Sequence, residues 1–529
     1  MLTNSTIHFK RAQERAFPKS RRNSTTILFG GLSTLADRFI ESSMIGLGYL
    51  AKALPVPDMD AMSAGKEYCD TGLCNPTYFT VGNLLMYLEK LRDSGLEKEE
   101  IINNYVFITA GSCGPCRFGM YEYEYQYALE NAGFGGFRVI IFQMAGSLNQ
   151  GDLNSGLRMD FEFFRAILNS VILSDHLNEL RYQIKPYEVE KGSTEAAIEE
   201  CAAKISNYLR TKKPLRDLSE GSSNIKFEKI KNIYDQLFQK KLKKVLLECR
   251  IRINEVLVDY HRIKPVVKIT GEFWAQSTEG DGNYKMFQFL EEEGCEIIIE
   301  SVSAWVVYLL WLSKLEFNEK SMTNKQGRIT FKKPAEFIRA LYQKMLRNLA
   351  ISAGTLIYKN EYRKTGKLLG GKFRPLKSVQ HLAKLASPYM DIKYDGGEGF
   401  LEVAKNIYFT KNNIAHMVLS IKPFGCMPST ISDSIQVKVM TDFDQMIFLP
   451  LETSGEGKIN ALSRVQMALS EARNRAVREY ESAIENNHLF QSIDTRNNGY
   501  MRALDKLPQI KGTALKAVNY LTFLAKARA

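Results

Sequence analysis

YVFITAGSCGPCRFGMYEYEYQYALENAGF, residues 105–134, is the stretch that decides the fold. Its first six residues are apolar and rich in β-branched side chains, the composition of a buried strand. A turn of small residues follows, and then a helical pattern opens. The same kind of run recurs at TTILFG (25–30), RVIIFQ (138–143), PVVKITG (265–271), CEIIIES (295–301), AHMVLSIKPF (415–424) and QMIFLPL (445–451). Strands alternating with helical stretches build βαβ units around parallel sheets. Between the runs, ADRFIESSMIGLGYLAKAL (36–54) reads as a helix stopped by Pro55, and VGNLLMYLEKLRDSG (81–95) as one ending in glycine. The predicted fold class is α/β, with two flavodoxin-like parallel-sheet domains, helical insertions and a helical C-terminal region.

The 529 residues divide accordingly. A basic N-terminal segment (1–24) leads into a first α/β domain (25–190). A helical connector (191–262) separates it from a second α/β domain (263–455), which carries a helical insertion near 305–390. Residues 456–529 form the helical C-terminal region. The net charge of +12 would suit a polyanion. Its basic residues are dispersed, however, with modest clusters at 10–22 and 240–244, and no nucleic-acid module accompanies them. A solvated basic surface is the expectation, and nucleic acid is not an expected partner. The N-terminus lacks the apolar core of an export signal. The longest apolar run, AWVVYLLWL (304–312), falls far short of the roughly 20 residues that span a bilayer and reads as a buried helix. No membrane association and a cytoplasmic location are expected. The eight cysteines are then reduced, and their clustering points to metal or redox chemistry.

Five cysteines fall at turns flanking βα elements. Cys69 and Cys74 lie in GKEYCDTGLCNPTYFTVGNLL (65–85), just before a helix. Cys113 and Cys116 follow the strand YVFITA, and Cys426 follows another in SIKPFGCMPS (420–429). Open α/β sheets place ligands at the carboxyl ends of their strands, so three separated segments can meet in one crevice. Helix N-termini there stabilise thiolates and anionic clusters. The pair Cys113-Gly-Pro-Cys116 suits two chemistries: a thioredoxin-like dithiol or ligation of iron–sulfur clusters. Ser112 stands where a dithiol enzyme typically has an aromatic, and two further cysteine segments sit at similar turns. Both features favour the cluster. Cys201, Cys249 and Cys295 read as buried, inert thiols. Zinc fits poorly, because no second CxxC exists and His8, His176, His261, His381, His416 and His488 show no ligand spacing. There is no GxSxG elbow. DGGEG (395–399) lacks the Lys-Ser/Thr of a phosphate loop and reads as a turn.

Taken in order, GKEYCDTGLCNPTYFTVGNLL, GPCRFGMYEYEYQYALENAGF, DGGEGFLEVAKNIYF (395–409) and KPFGCMPS (422–429) resemble the 2-hydroxyacyl-CoA dehydratase family. The nearest likeness is to its large activator-related homologues and to the double-cubane cluster proteins. It covers roughly residues 25–150 and 265–460. The resemblance implies a [4Fe-4S] cubane held by Cys74, Cys116 and Cys426, with one iron left open. It implies a coenzyme A thioester substrate and ketyl-radical chemistry under anaerobic conditions, a lyase or reductase activity. The electron would come from a separate ATP-hydrolysing iron–sulfur activator, since this chain has no actin-like ATPase signature. It also implies a homodimer or a heterodimer with a paralogue. Two departures matter. Met120 stands where the family has Gln, and the extra Cys69 and Cys113 raise the thiol count to five, approaching the six of a double-cubane [8Fe-9S] cluster. They are either supplementary ligands or spare thiols. Arg117, beside a ligand cysteine, would offset cluster charge. Two rival functions stay open: an iron–sulfur electron-transfer or maturation subunit of a larger complex, and a CGPC dithiol oxidoreductase.

Overall fold

The computed structural model describes residues 13–111, 116–143, 155–212, 240–320, 334–393, 397–455, 457–491, 493 and 499–528; Cys113 lies outside them. Ten strands are present among these residues. Thr26–Phe29 (β1), Leu50–Ala53 (β2), Tyr105–Gly111 (β3) and Arg138–Gln143 (β4) form one parallel sheet in the order β2-β1-β3-β4. Leu257–Val258 (β5) pairs antiparallel with Met501–Arg502 (β10). Val266–Gly271 (β6), Glu296–Ile298 (β7), Met417–Pro423 (β8) and Phe448–Thr453 (β9) form a second parallel sheet in the order β7-β6-β8-β9. The α/β class with two parallel sheets is therefore the observed architecture.

The two sheets repeat one topology. In each, the first strand has the second on one side and the third and fourth on the other. The order reverses between β1 and β3, and again between β6 and β8. Those reversals open crevices at the strands' carboxyl ends. The seven apolar runs all contain strands, although CEIIIES contributes only Glu296–Ile298.

The helix expected over 36–54 is corrected. Helix Thr34–Gly46 stops at Leu47, the chain turns at Gly48 with φ +84°, and β2 follows. Glycine leaves a helix in this conformation at little cost. Residues of β2 alternate exposed and half-buried, as suits an edge strand, so no apolar run marked it.

The connector is helical over Ser193–Thr211 and Lys240–Asn254, and the C-terminal region over Lys458–Glu485, His488–Gln491 and Lys516–Arg528. β5 and β10 tie these two regions together. Residues 304–312 lie within helix Val302–Lys320, and no described helix is long and apolar enough to cross a membrane.

Helix Phe161–Ile184 reaches both halves. The Ser170 hydroxyl meets that of Ser43 at 2.8 Å on helix Thr34–Gly46. One turn on, Asp175 accepts bonds from the Val302 and Ser303 N–H groups, capping helix Val302–Lys320. This helix thereby joins the two halves.

Candidate metal centre

Cys74, Cys116 and Cys426 occupy the same kind of position: each is the residue that caps the N-terminus of a helical element. Cys74 precedes helix Asn75–Asp93, Cys116 the short 3₁₀ helix Arg117–Met120, and Cys426 helix Met427–Asp442. In both Cys74-Asn-Pro76 and Cys426-Met-Pro428 the proline stands in the first turn, where its missing N–H costs nothing and its fixed φ starts the helix. Cys116 and Cys426 follow the third strands of their sheets, β3 and β8, at the crevices.

Close backbone approach places Cys74. Helices Met59–Tyr68 and Asn75–Asp93 cross at Gly65 and Gly82. A Cβ on Gly65 would lie 2.0 Å from the Tyr78 carbonyl oxygen, and one on Gly82 1.8 Å from that of Ala61. Both glycines belong to the GKEYC…TVGN stretch. They let the two helices touch and fold the intervening turn, with Cys69 and Cys74, toward the second sheet.

Several contacts then join the cysteine segments. The Asn75 N–H donates to the Phe424 carbonyl at 3.4 Å, and the Asn75 side chain donates to the Thr453 carbonyl at 2.6 Å. A Cβ on Gly425 would lie 3.6 Å from the Cys74 Cα and 3.4 Å from Arg117 Nη1. Arg117 itself donates to the Gly72 carbonyl, and its Nη2 lies 4.0 Å from Met427 Sδ. Thus Arg117, beside Cys116, touches the turns of both Cys74 and Cys426.

None of the seven described cysteines is in a disulfide. Burial is the main influence on the three thiols. It raises that of Cys74, pushes that of Cys116 up to about 11, and raises that of Cys426 further. The charge of Glu272 raises all three, and Arg117 opposes it at Cys74. Hydroxyl groups stand beside two of the sulfurs. Cys74 Sγ lies 3.1 Å from the Tyr121 hydroxyl, and Cys426 Sγ lies 3.3 Å from the Ser429 hydroxyl. Ser429 in turn donates to Glu402 at 2.9 Å, and Ser432 donates to the other Glu402 oxygen. Without a cation these thiols hold their protons; a bound metal expels them.

Among the described residues, no three His, Cys, Asp or Glu side chains converge closely enough to hold a single metal ion. A lone zinc would draw sulfurs to about 2.3 Å of one point, whereas a cubane meets each thiolate at a separate iron. The buried Cys74 and Cys426 and the half-buried Cys116 stand at helix N-termini drawn from three segments.

The other described cysteines have different surroundings. Cys69 ends helix Met59–Tyr68, and burial pushes its thiol up to about 12, helped by the charges of Glu124 and Asp70. Its charged neighbours therefore differ from those of the other three. Cys201 and Cys249 pack together between helices Ser193–Thr211 and Lys240–Asn254, with Cys201 Sγ 3.6 Å from the Cys249 carbonyl. Cys295 is buried at the start of β7.

Sequence reading missed the acids and the hydroxyls. Glu272 directly follows β6, so the strand-end rule already marked its position. Tyr121 lay within the quoted stretch as one more helical residue. Glu398, in the DGGEG turn, accepts from Lys405 at 3.0 Å; Lys405 lies 3.6 Å from Glu300, which accepts from Lys268 at 2.9 Å. Glu300, Glu398 and Lys405 of this ionic chain line a cavity with Phe273, Gln276 and Trp305.

No protein-family model matches this chain, and no curated protein matches it.

Proposed function

We propose that the chain is an iron–sulfur protein of the 2-hydroxyacyl-CoA dehydratase type, with its cluster on Cys74, Cys116 and Cys426. The supporting observation is that these cysteines cap three helical elements whose turns touch one another at the carboxyl ends of two parallel sheets. Such a cluster supplies one-electron reduction at low potential. The protein supplies the setting. Helix N-termini offer N–H groups to a negatively charged centre. Burial of Cys74 and Cys426 keeps water from the sulfurs. Arg117 adds positive charge at the rim and latches the two cysteine turns. The substrate class is a coenzyme A thioester, and electrons come from a separate ATP-hydrolysing iron–sulfur partner.

Anaerobic purification with iron and labile-sulfide counts, followed by EPR of the reduced protein, tests the reading. About four irons and four sulfides per chain support a single cubane, and about eight irons a double one. A colourless protein that binds neither element and reduces disulfides would establish the dithiol alternative instead.

A further inference from the structure

We infer that the cavity at the carboxyl ends of β6 and β7 is a binding site for a small oxyanion, with hydrogencarbonate the ion that matches it. None of Cys74, Cys116 and Cys426 lines this cavity, so the site is independent of the cluster reading.

Its walls come from distant segments. Phe273 and Gln276 follow β6, and Glu300 and Ser301 follow β7. Trp305 lies on helix Val302–Lys320, Glu398 just before helix Phe400–Lys411, and Lys377 just before helix Val379–Ala386. Parallel sheets take ligands at such strand ends. The cavity measures about 20 Å³ and adjoins a second of about 60 Å³; Glu300, Ser301, Lys377, Leu382 and Lys405 line both. One water needs roughly 10–15 Å³ of such space. The pair therefore has room for a few non-hydrogen atoms.

Three lining side chains have bonding capacity to spare. Gln276 is 1% exposed. Its amide nitrogen donates to the Gly271 carbonyl at 3.0 Å, while its carbonyl oxygen is buried without a partner. The indole N–H of Trp305 is likewise buried without a partner. Leaving such groups unmet is costly. The third is Lys377, whose ammonium donates to the Tyr408 hydroxyl at 2.8 Å and lies 4.2 Å from the centre of that ring. Among the described residues it forms no ion pair. The other charges lining the two cavities are matched. Lys268 meets Glu300 at 2.9 Å, Lys405 meets Glu398 at 3.0 Å, and Arg374 meets Glu179 at 3.2 Å. Asp175 accepts from the N–H groups of Val302 and Ser303. Lys377 is the cation left over.

These open groups specify the ligand. Two donors and one acceptor call for a monoanion with at least two accepting oxygens and one O–H. Hydrogencarbonate carries that set in a small planar ion: its oxygens would accept from Lys377 and Trp305, and its O–H would donate to Gln276. Formate and nitrate offer oxygens but no hydrogen for Gln276. Water can meet the neutral groups but leaves Lys377 without a counter-charge. Binding makes and breaks no covalent bond.

Calorimetric titration of the full chain with hydrogencarbonate, at mildly alkaline pH and constant ionic strength, tests the site. One ion per chain should bind, and formate and nitrate should each bind at least about tenfold more weakly. Trp305→Phe removes the N–H and Lys377→Met the charge. Each should weaken hydrogencarbonate binding by about tenfold or more with the far-UV circular dichroism unchanged. Saturable binding should also raise the melting temperature of wild type. No saturable binding by wild type would overturn the inference and leave water as the occupant. Full-strength binding by both variants would place the ion elsewhere and overturn it as well. Formate or nitrate binding as tightly as hydrogencarbonate would overturn the part given to Gln276 and the choice of ion. Wild type with the three ions decides the matter if the variants fail to fold. Iron enters none of these outcomes, so the cluster reading is tested separately.

Discussion

The two sheets share one strand order, yet they contribute differently to the same crevice. The first half brings two sulfurs and little charge. Cys74 packs in a cluster with Tyr121, Tyr78 and Phe118, and Arg117 follows Cys116. The second half brings one sulfur and the acids. Beside Cys426 stand Ser429 and Glu402, and the same half holds the buried chain Glu398–Lys405–Glu300–Lys268. A shared topology thus sets where ligands can stand, not what they are. Each copy of the fold brings cysteine to the meeting point, and the second also brings most of the charge.

The largest expected effect tests the equivalence of the two Cys-x-Pro helix starts. Cys74→Ser and Cys426→Ser should each abolish the visible iron–sulfur absorbance, measured after anaerobic purification. Retention of the chromophore by either variant would break the comparison between the halves.

Next comes the charge of the second half. Lys405→Met removes the cation that serves both Glu398 and Glu300 in a buried setting. Breaking a buried pair from one side should cost about 3–5 kcal/mol of stability. Denaturant unfolding reads this directly. A loss under about 1 kcal/mol would mean that the acids find other partners.

Glu402→Gln sharpens the contrast through pH. Burial pushes the Glu402 carboxyl up from 4.5 to about 7, against the Ser432 and Ser429 hydrogen bonds that lower it. The folded value is the higher one, so folding favours the protonated form. Its contribution is complete below about pH 4.5 and lost as pH rises through about 7. Relative to the variant, metal-free wild type should lose up to roughly 3 kcal/mol across that window. Parallel stability–pH curves for the two proteins would count against it.

The smallest effect is expected at Cys69. Its charged neighbours are Glu124 and Asp70, not Glu272. Cys69→Ala should leave the iron content unchanged in a direct iron assay. A fall by half would instead assign Cys69 to a second cubane.

Much of this was legible before the structure. Apolar, β-branched runs between helical stretches named seven of the strands, because parallel strands are covered on both faces and read as continuous apolar text. β2 escaped because an edge strand needs no such run. Cys74, Cys116 and Cys426 were legible as candidates because strand ends and helix starts leave marks nearby in sequence: a glycine, a proline, a change of period. Glu272, Glu402 and Lys405 were not. A carboxylate in helical or turn text looks the same whether it meets solvent or a buried lysine.

By itself, then, the sequence determined the α/β class, the two parallel sheets and the turns that carry the cysteines. These depend on local periodicity and on residues a few positions apart. Only the tertiary structure decided that the Cys74 and Cys426 turns touch, that Cys69 keeps different charged neighbours, and that Glu272 acts on three thiols together. Those facts depend on residues far apart in the chain, such as Cys74 and Gly425 or Cys69 and Glu124. The crossing at Gly65 and Gly82 and the pairing of β6 with β8 create them, and no local pattern encodes which distant backbone will arrive.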